Sequence, residues 1–208
     1  MKAILFAIVA LVISTGSASA QDANAKNVLD KVSAKLKTFK GITGNFTYTS
    51  KSRAGKVNNN VTGKMAIKGN KYYIKQGPTE IFSDGVKTWN YNGSNEVTVN
   101  TVDADGQALT PQRLLTNFYD KDFNYRLVSS AGSSHEIEMI PVDKRKNFQK
   151  VNVFVDKAKM MITRAKILDK SSNTIEFTLN NIVTNAAIND NTFVFNKNKY
   201  KKNIEVIE

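Results

Sequence analysis

The chain has 208 residues and is strongly basic, with 30 Lys and Arg against 18 Asp and Glu and a net charge of +12 at pH 7. It has no Cys, so a buried core rather than disulfides must stabilise the fold. Because 25 of the 30 cations are Lys, a compact hydrated charge, the composition argues against nucleic acid as a partner and fits either a solvated surface or attraction to an anionic membrane.

The first twenty residues have the features of a secretory signal peptide. A Lys follows the initial Met, residues 3–13 are apolar, and Ala18-Ser19-Ala20 fits the small-x-small cleavage rule. The apolar run is shorter than the ~20 residues that a membrane span requires. We therefore expect cleavage after Ala20 and a single periplasmic domain, residues 21–208. Gln21 stands where a lipid-anchored protein would carry Cys.

An amphipathic helix is predicted next, over Asn24–Lys40. Either Asp22 or Asn24 would cap its start, and Gly41 stands just past its end, as helix ends prefer. Its apolar residues recur at spacings of three and four: Ala25, Val28, Leu29, Val32, Leu36 and Phe39. This stripe predicts that the helix covers an apolar surface.

After this helix the apolar period changes to two, which is typical of strands. Hairpin signals separate the segments, among them Asp84-Gly85 and Asn92-Gly93. The predicted strands are residues 44–51, 60–69, 70–77, 79–83, 87–91 and 96–102, with residues 53–60 forming a turn. Links this short predict an antiparallel meander.

A second helix is predicted over residues 108–121, with Thr110 as its cap and Pro111 at its first position. Its apolar face would comprise Leu114, Leu115, Phe118 and Tyr119. Five further strands are predicted within residues 123–183, and residues 204–207 are left as either an edge strand or a loose segment. The prediction is an α+β domain of about eleven strands and two helices.

The sequence offers no support for catalysis. The single His, His135, begins an alternating strand beside Ile137 and Met139, where a structural or surface role is expected. Glu136 and Glu138 share a strand face, where such pairs are usually solvated. A nucleophile elbow, a P-loop and a metal-ligand cluster are all missing from the sequence. We predict no catalytic residues, no metal and no cofactor, and a protein that is not an enzyme.

Two interpretations of the apolar strand residues remain open, a packed core and the wall of a ligand cavity. Side chains alone fill a barrel of about eight strands, whereas a larger or incomplete barrel has a concave face that helices must cover. The candidate wall residues are Phe46, Tyr48, Met65, Ile67, Tyr72, Ile74, Phe82, Trp89, Tyr91, Val97 and Val99. Periodicity does not separate the two interpretations.

The order of the motifs resembles one known family. The run DGVKTWNYNGSNEVTV, followed by TPQRLL, is similar to the D-G-x-x-x-W-x-Y-N hairpin and the Pro-led helix of the outer-membrane lipoprotein carrier proteins, LolA. The late NDNTFVF resembles that family's D-x-x-F-x-F segment. The likeness covers nearly all of the mature chain.

The resemblance implies an unclosed antiparallel β-barrel with helices as a lid and lipoprotein acyl chains on its concave face, where Trp89 and Tyr91 would lie. It also implies a monomeric periplasmic shuttle that receives acylated lipoproteins from an inner-membrane lipoprotein-releasing ABC transporter and delivers them to the outer membrane, with an outer-membrane receptor as a further partner. The implied lid contacts are Val28, Val32, Leu36, Leu114, Leu115 and Phe118. The alternative is a periplasmic protein with the same half-barrel that senses lipoproteins or lipids.

One departure concerns the lid. Many members of the family carry Arg-Pro after the strand that corresponds to GKMAIK, and that Arg helps to control the lid. Here the pair is Gly69-Asn70, flanked by Lys68 and Lys71. Because Lys does not reproduce the forked hydrogen bonds of Arg, gating through that Arg does not carry over.

Overall fold

The structure is a computed structural model that describes residues 22–102, 122–200 and 203–208. One α-helix, α1 (Ala23–Lys37), precedes the strands. The strands are β1 (Ile42–Lys51), β2 (Val57–Lys68), β3 (Lys71–Gln76), β4 (Thr79–Ser83), β5 (Lys87–Tyr91), β6 (Glu96–Thr101), β7 (Phe123–Ser129), β8 (Ser134–Pro141), β9 (Phe148–Asp156), β10 (Met161–Asp169), β11 (Thr174–Thr184) and β12 (Glu205–Ile207). Two short 3₁₀ helices, Asp190–Phe193 and Lys197–Lys199, lie between β11 and β12.

The twelve strands of the described residues form one sheet in the order β12-β6-β5-β4-β3-β2-β1-β11-β10-β9-β8-β7. Neighbouring strands are antiparallel except β12, which runs parallel to β6. The described part of the sheet ends at β7 and β12 without a pairing between them, so the barrel is unclosed. The predicted fold class is confirmed, and the C-terminal segment is an edge strand.

Two boundaries differ from the prediction. Residues 57–60 belong to β2 rather than to a turn, because the long partner strand β1 pairs with Val57, Asn59 and Asn60 and outweighs the low strand propensity of Asn. Helix α1 ends at Lys37, and Gly41 does not cap it. A Cβ at Gly41 would lie 2.6 Å from the carbonyl oxygen of Ala186, so this glycine allows two backbone segments to approach closely.

The second predicted helix, with Leu114, Leu115 and Phe118, lies outside the described residues.

One face of the sheet, here called the inner face, carries the core. Helix α1 packs against β7 and β10 on this face, and its residues Val28, Leu29 and Val32 are buried. Asp22 caps the helix by accepting hydrogen bonds from the backbone amides of Asn24 and Ala25. The apolar stripe predicted from the sequence is therefore the surface that α1 buries.

The opposite, outer face is crossed by a C-terminal strap, defined as residues 185–200 and 203–208. Its Asp190 carboxylate lies 3.2 Å from Lys68 Nζ and 2.9 Å from Lys71 Nζ. Further along the strap, Ile204 is buried in an apolar cluster with Tyr91. The strap ends in β12 at the edge of the sheet, so ion pairs, apolar packing and strand pairing all hold it in place.

Candidate functional site

Strand register decides which side chains share a face. Residues directly opposite one another on antiparallel strands point to the same side of the sheet. Trp89 pairs with Phe82, Phe82 pairs with Tyr73, and Tyr73 pairs with Ala66. Because Ala66 lies between Met65 and Ile67 on β2, Trp89 points away from the face that Met65 and Ile67 occupy.

The structure therefore divides the predicted cavity wall between two surfaces. The predicted wall residues on the inner face are Phe46, Tyr48, Met65, Ile67, Tyr72 and Ile74. Those on the outer face are Phe82, Trp89, Tyr91, Val97 and Val99. The expectation that Trp89 and Tyr91 lie on the same concave face as Phe46 is wrong, because β5 and β6 turn their apolar side chains outward.

The inner face is apolar over most of its width. Besides the predicted residues it includes a second set, which the sequence analysis did not select: Phe123, Tyr125, Ile137, Met139, Val151, Val153, Val155, Ala165, Ile167, Phe177 and Leu179. The alternation of β7 to β11 contains the signal for this set. With Ile81 of β4 partly buried against it, this surface is the candidate site for an apolar ligand.

A groove of about 340 Å³ opens where the inner face reaches β3 to β6. Its lining comprises Ile74, Gln76, Thr79, Ile81, Asn90, Tyr91, Asn92, Glu96 and Thr98. Ile74 and Ile81 continue the apolar surface into the groove, whereas Asn90 and Thr98 add an amide and a hydroxyl group. The groove thus joins an apolar region to a polar one.

On the outer face, the predicted wall residues form an aromatic cluster with the strap. Ring centroids lie 4.6 Å apart for Tyr91 and Tyr200, 5.1 Å for Phe195 and Tyr200, and 5.8 Å for Phe82 and Phe195. Trp89 packs at the margin of the same cluster. These rings bury one another and the strap, which is the behaviour of packed core rather than of an open cavity wall.

A buried carboxylate lies beside this cluster. The Glu80 residue is 8% exposed; its carboxylate accepts a hydrogen bond of 2.5 Å from Tyr200 Oη and another from Lys75 Nζ. Burial raises the pKa of Glu80, but the bonds from Lys75, Tyr200 and Tyr73 outweigh it and lower the pKa overall. Burial and the same carboxylate raise the pKa of Tyr73 to about 12. Glu80 is therefore charged at neutral pH and fastens the strap.

Lys68 and Lys71 flank the Gly69-Asn70 turn between β2 and β3. Both of their ammonium groups bind Asp190 of the strap, and Lys68 Nζ also donates to the carbonyl oxygen of Ile188. These two cations therefore hold the strap on the outer face.

The polar residues considered for catalysis have structural partners. His135 Nδ1 lies 2.8 Å from Ser130 Oγ, and burial together with Lys157 and Lys31 lowers the pKa of the imidazole.

Glu138 was expected to be solvated but is 7% exposed. It binds Arg126 Nε and Lys150 Nζ, each at 2.8 Å. Hydrogen bonds from these two cations outweigh burial and lower the pKa of Glu138.

Within residues 22–102, 122–200 and 203–208, no three His, Cys, Asp or Glu side chains are grouped as metal ligands would be. The same ranges contain no helix with the length and hydropathy needed to cross a bilayer.

Solved structures resemble the fold at low sequence identity. An uncharacterised conserved protein from Thermus thermophilus has a TM-score of 0.58 at 12% identity, covering 88% of this chain and 98% of its own. A domain assigned to outer membrane lipoprotein sorting in Vibrio parahaemolyticus has a TM-score of 0.50 at 13% identity, covering 85% and 99%. A LolA superfamily protein from Nitrosomonas europaea has a TM-score of 0.46 at 12% identity, covering 82% and 97%.

No curated protein matches the chain at a significant level. The family model for the outer membrane lipoprotein carrier protein LolA matches residues 37–196, which include β1 to β11. The match spans well over half of the chain. The chain therefore belongs to the LolA family of outer membrane lipoprotein carrier proteins.

Proposed function

We propose that this protein is a periplasmic carrier that binds the acyl chains of lipoproteins on its inner face and shuttles them from the inner to the outer membrane. The observation that carries the proposal is the broad apolar inner face of an unclosed sheet, with one amphipathic helix, α1, packed over β7 and β10. The partners would be acylated lipoproteins, an inner-membrane lipoprotein-releasing ABC transporter and an outer-membrane receptor.

The energetics of acyl burial limit how the cargo is held. Burial of one methylene contributes ~0.8 kcal/mol, so three chains of about fifteen methylenes would contribute on the order of 36 kcal/mol. Non-covalent affinities saturate near roughly 20 kcal/mol. A carrier that captured the full amount would not release its cargo. We infer that the bound chains remain partly exposed and that displacement of the covering helix offsets part of the gain.

Helix α1 is suited to be the displaced cover. It presents an apolar stripe on one side, and Lys31, Lys35 and Lys37 on the other are exposed. Residues Val28 and Val32 would exchange their contacts with the sheet for contacts with acyl chains, while Leu36 is only partly buried. Because one apolar contact replaces another, the net gain from cargo binding is smaller than the gross burial of the acyl chains.

The test is native mass spectrometry of the mature protein, purified gently from the periplasm of a double-membraned bacterium. Ile81→Glu places a charge on the inner face, and Thr47→Glu places the same charge at a half-buried outer-face position on β1. We expect acylated species on the wild type and on Thr47→Glu but not on Ile81→Glu. Circular dichroism establishes folding, and Ile81→Trp, which fills the groove without adding charge, serves as a second inner-face variant.

A wild-type protein that carries no ligand and takes up no added lipoprotein would contradict the proposal. A protein that binds lipoprotein but never transfers it to an acceptor membrane would instead favour the sensing alternative.

A further inference from the structure

The polarity of the sheet inverts at β5 and β6. On these strands the inward side chains are Thr88, Asn90, Glu96, Thr98 and Asn100, and the outward ones include Trp89, Tyr91, Val97 and Val99. On β1 and on β7 to β11 the arrangement is the reverse, with apolar side chains inward. The inner face therefore has an apolar region and a polar end.

The centre of this polar end is one cross-strand pair. Asn90 and Thr98 lie directly opposite each other on β5 and β6, and both line the 340 Å³ groove. Both residues are half-buried, and among the described residues neither side chain has a hydrogen-bond partner. An amide and a hydroxyl at this spacing provide three N–H or O–H donors and two acceptor oxygens for one ligand.

The apolar boundary of the groove limits which ligands fit. Ile74 and Ile81 border Asn90 and Thr98 on the side that leads to the broad apolar face. A ligand that satisfies both regions must combine long apolar chains with a compact hydrogen-bonding group. Glycerol esters and the N-acyl amide of an acylated cysteine have this chemistry, whereas a bare hydrocarbon leaves the polar pair unsatisfied.

We propose that Asn90 and Thr98 form a head-group subsite, which binds the ester- and amide-bearing part of an acylated cargo while its chains lie toward β1 and β11. This inference rests on the proposed carrier function and adds an orientation to it. The cargo polypeptide then leaves the groove past Gln76 and Thr79, the lining residues that pair at the turn end of β3 and β4.

The test compares three probes on the full mature protein: a synthetic triacylated cysteine peptide, phosphatidylethanolamine and the apolar dye diphenylhexatriene. The variant is Asn90→Leu combined with Thr98→Val, which removes the polar atoms with little change of volume. The matched control is Thr47→Val with Thr178→Val, a directly paired polar couple on the outer face. Titrations give the affinity of each probe for each protein.

For each protein we compare the affinity for the triacylated peptide with the affinity for the dye. We expect this ratio to fall about tenfold or more in the subsite variant, since two hydrogen bonds to the peptide are lost. The control variant should keep the wild-type ratio of peptide affinity to dye affinity. If the subsite variant also loses affinity for phosphatidylethanolamine, the glycerol esters are the recognised group. If it loses affinity for the peptide alone, the N-acyl amide is the recognised group. An unchanged ratio in the subsite variant would overturn the inference.

A photo-crosslinking experiment tests the orientation separately. A diazirine near the glycerol group should label β5 and β6, and one at a chain end should label β1 or β8 to β11. The reverse pattern would overturn the subsite while leaving the carrier function intact. A wild-type protein that binds neither peptide nor dye would overturn both.

Discussion

Asp22 joins helix α1 to the edge of the sheet through Leu127. One carboxylate oxygen of Asp22 accepts from the helix amides of Asn24 and Ala25, and the other accepts from the backbone amide of Leu127 on β7 at 2.8 Å. The backbone amide of Asp22 also donates to the carbonyl oxygen of Tyr125. A single residue thus caps the helix and occupies an exposed strand edge, which would otherwise be open to intermolecular pairing.

The first prediction separates these two roles of Asp22. Asp22→Ala removes both, whereas Asp22→Asn keeps a neutral cap and loses the charge at the helix start and the acceptor for Leu127. We expect the urea midpoint to fall in the order wild type, Asn variant, Ala variant. Amide hydrogen exchange should accelerate at Asn24 and Ala25 in the Ala variant. If the Asn variant were as unstable as the Ala variant, the neutral cap would contribute no stability of its own, which would contradict the prediction.

The second prediction concerns the contact of Gly63 with Phe46. The Phe46 ring lies over Gly63, and a Cβ there would overlap both the ring and the carbonyl oxygen of Lys75. We expect Gly63→Ala to destabilise the protein by about 1–3 kcal/mol in urea unfolding, because the ring must leave its rotamer or the strands must shift.

Gly44 provides the matched control on the neighbouring strand. A Cβ there would lie 3.2 Å from the carbonyl oxygen of Asn180, a contact that small shifts relieve. Gly44→Ala should therefore cost less than Gly63→Ala. Equal costs would mean that glycine is needed for backbone reasons at both positions rather than for the Phe46 ring.

The third prediction is an acid-dependent release of the strap. The pKa of Glu80 is lowered from its ordinary 4.5 in the folded state, so its stabilising contribution is present above that value and is lost as pH falls through the folded pKa. Protonation would leave Lys75 with a neutral partner and weaken the bond from Tyr200. Protease cleavage within residues 185–200 should therefore accelerate in acid before the sheet unfolds.

Glu80→Gln supplies the control for this prediction. The amide resembles a protonated carboxyl in shape and charge, so the variant should show faster strap cleavage at neutral pH and a weaker acid dependence, with the remainder coming from the Asp190 ion pairs with Lys68 and Lys71. Tyr200→Phe removes the hydrogen bond from Tyr200 to Glu80 and should keep part of the acid dependence of strap cleavage. A Glu80→Gln protein with the full wild-type acid dependence would show that another carboxylate controls the strap.

The fourth prediction concerns His135. Burial, Lys157 and Lys31 lower its pKa from 6.5, so folding favours the neutral imidazole. The contribution of the neutral imidazole to the free energy of unfolding is lost as pH falls through the folded pKa. We expect the urea midpoint to decrease from pH 7 to pH 5, where the carboxylates are still mostly ionised. His135→Gln should flatten that decrease, and an equally steep decrease in the variant would assign it to another group.

The period-two pattern identified β1 to β11 without any tertiary information, because alternation is a local property of a strand with one buried face. The helix α1 and its apolar stripe followed from the same argument at a period of 3.6 residues. Even the order of motifs around Trp89 indicated the family. The C-terminal strand β12 stayed open, since a three-residue parallel pairing with β6 leaves almost no local pattern.

The sequence by itself thus determined that Trp89, Tyr91, Val97 and Val99 lie on the buried sides of β5 and β6. Only the tertiary structure decided that this side is the outer one. Alternation defines two sides of a strand but not which of them faces the concave surface, and that choice depends on the pairing register from β4 back to β1. It also depends on the C-terminal strap, a segment distant in the chain, whose packing makes an apolar outer face favourable.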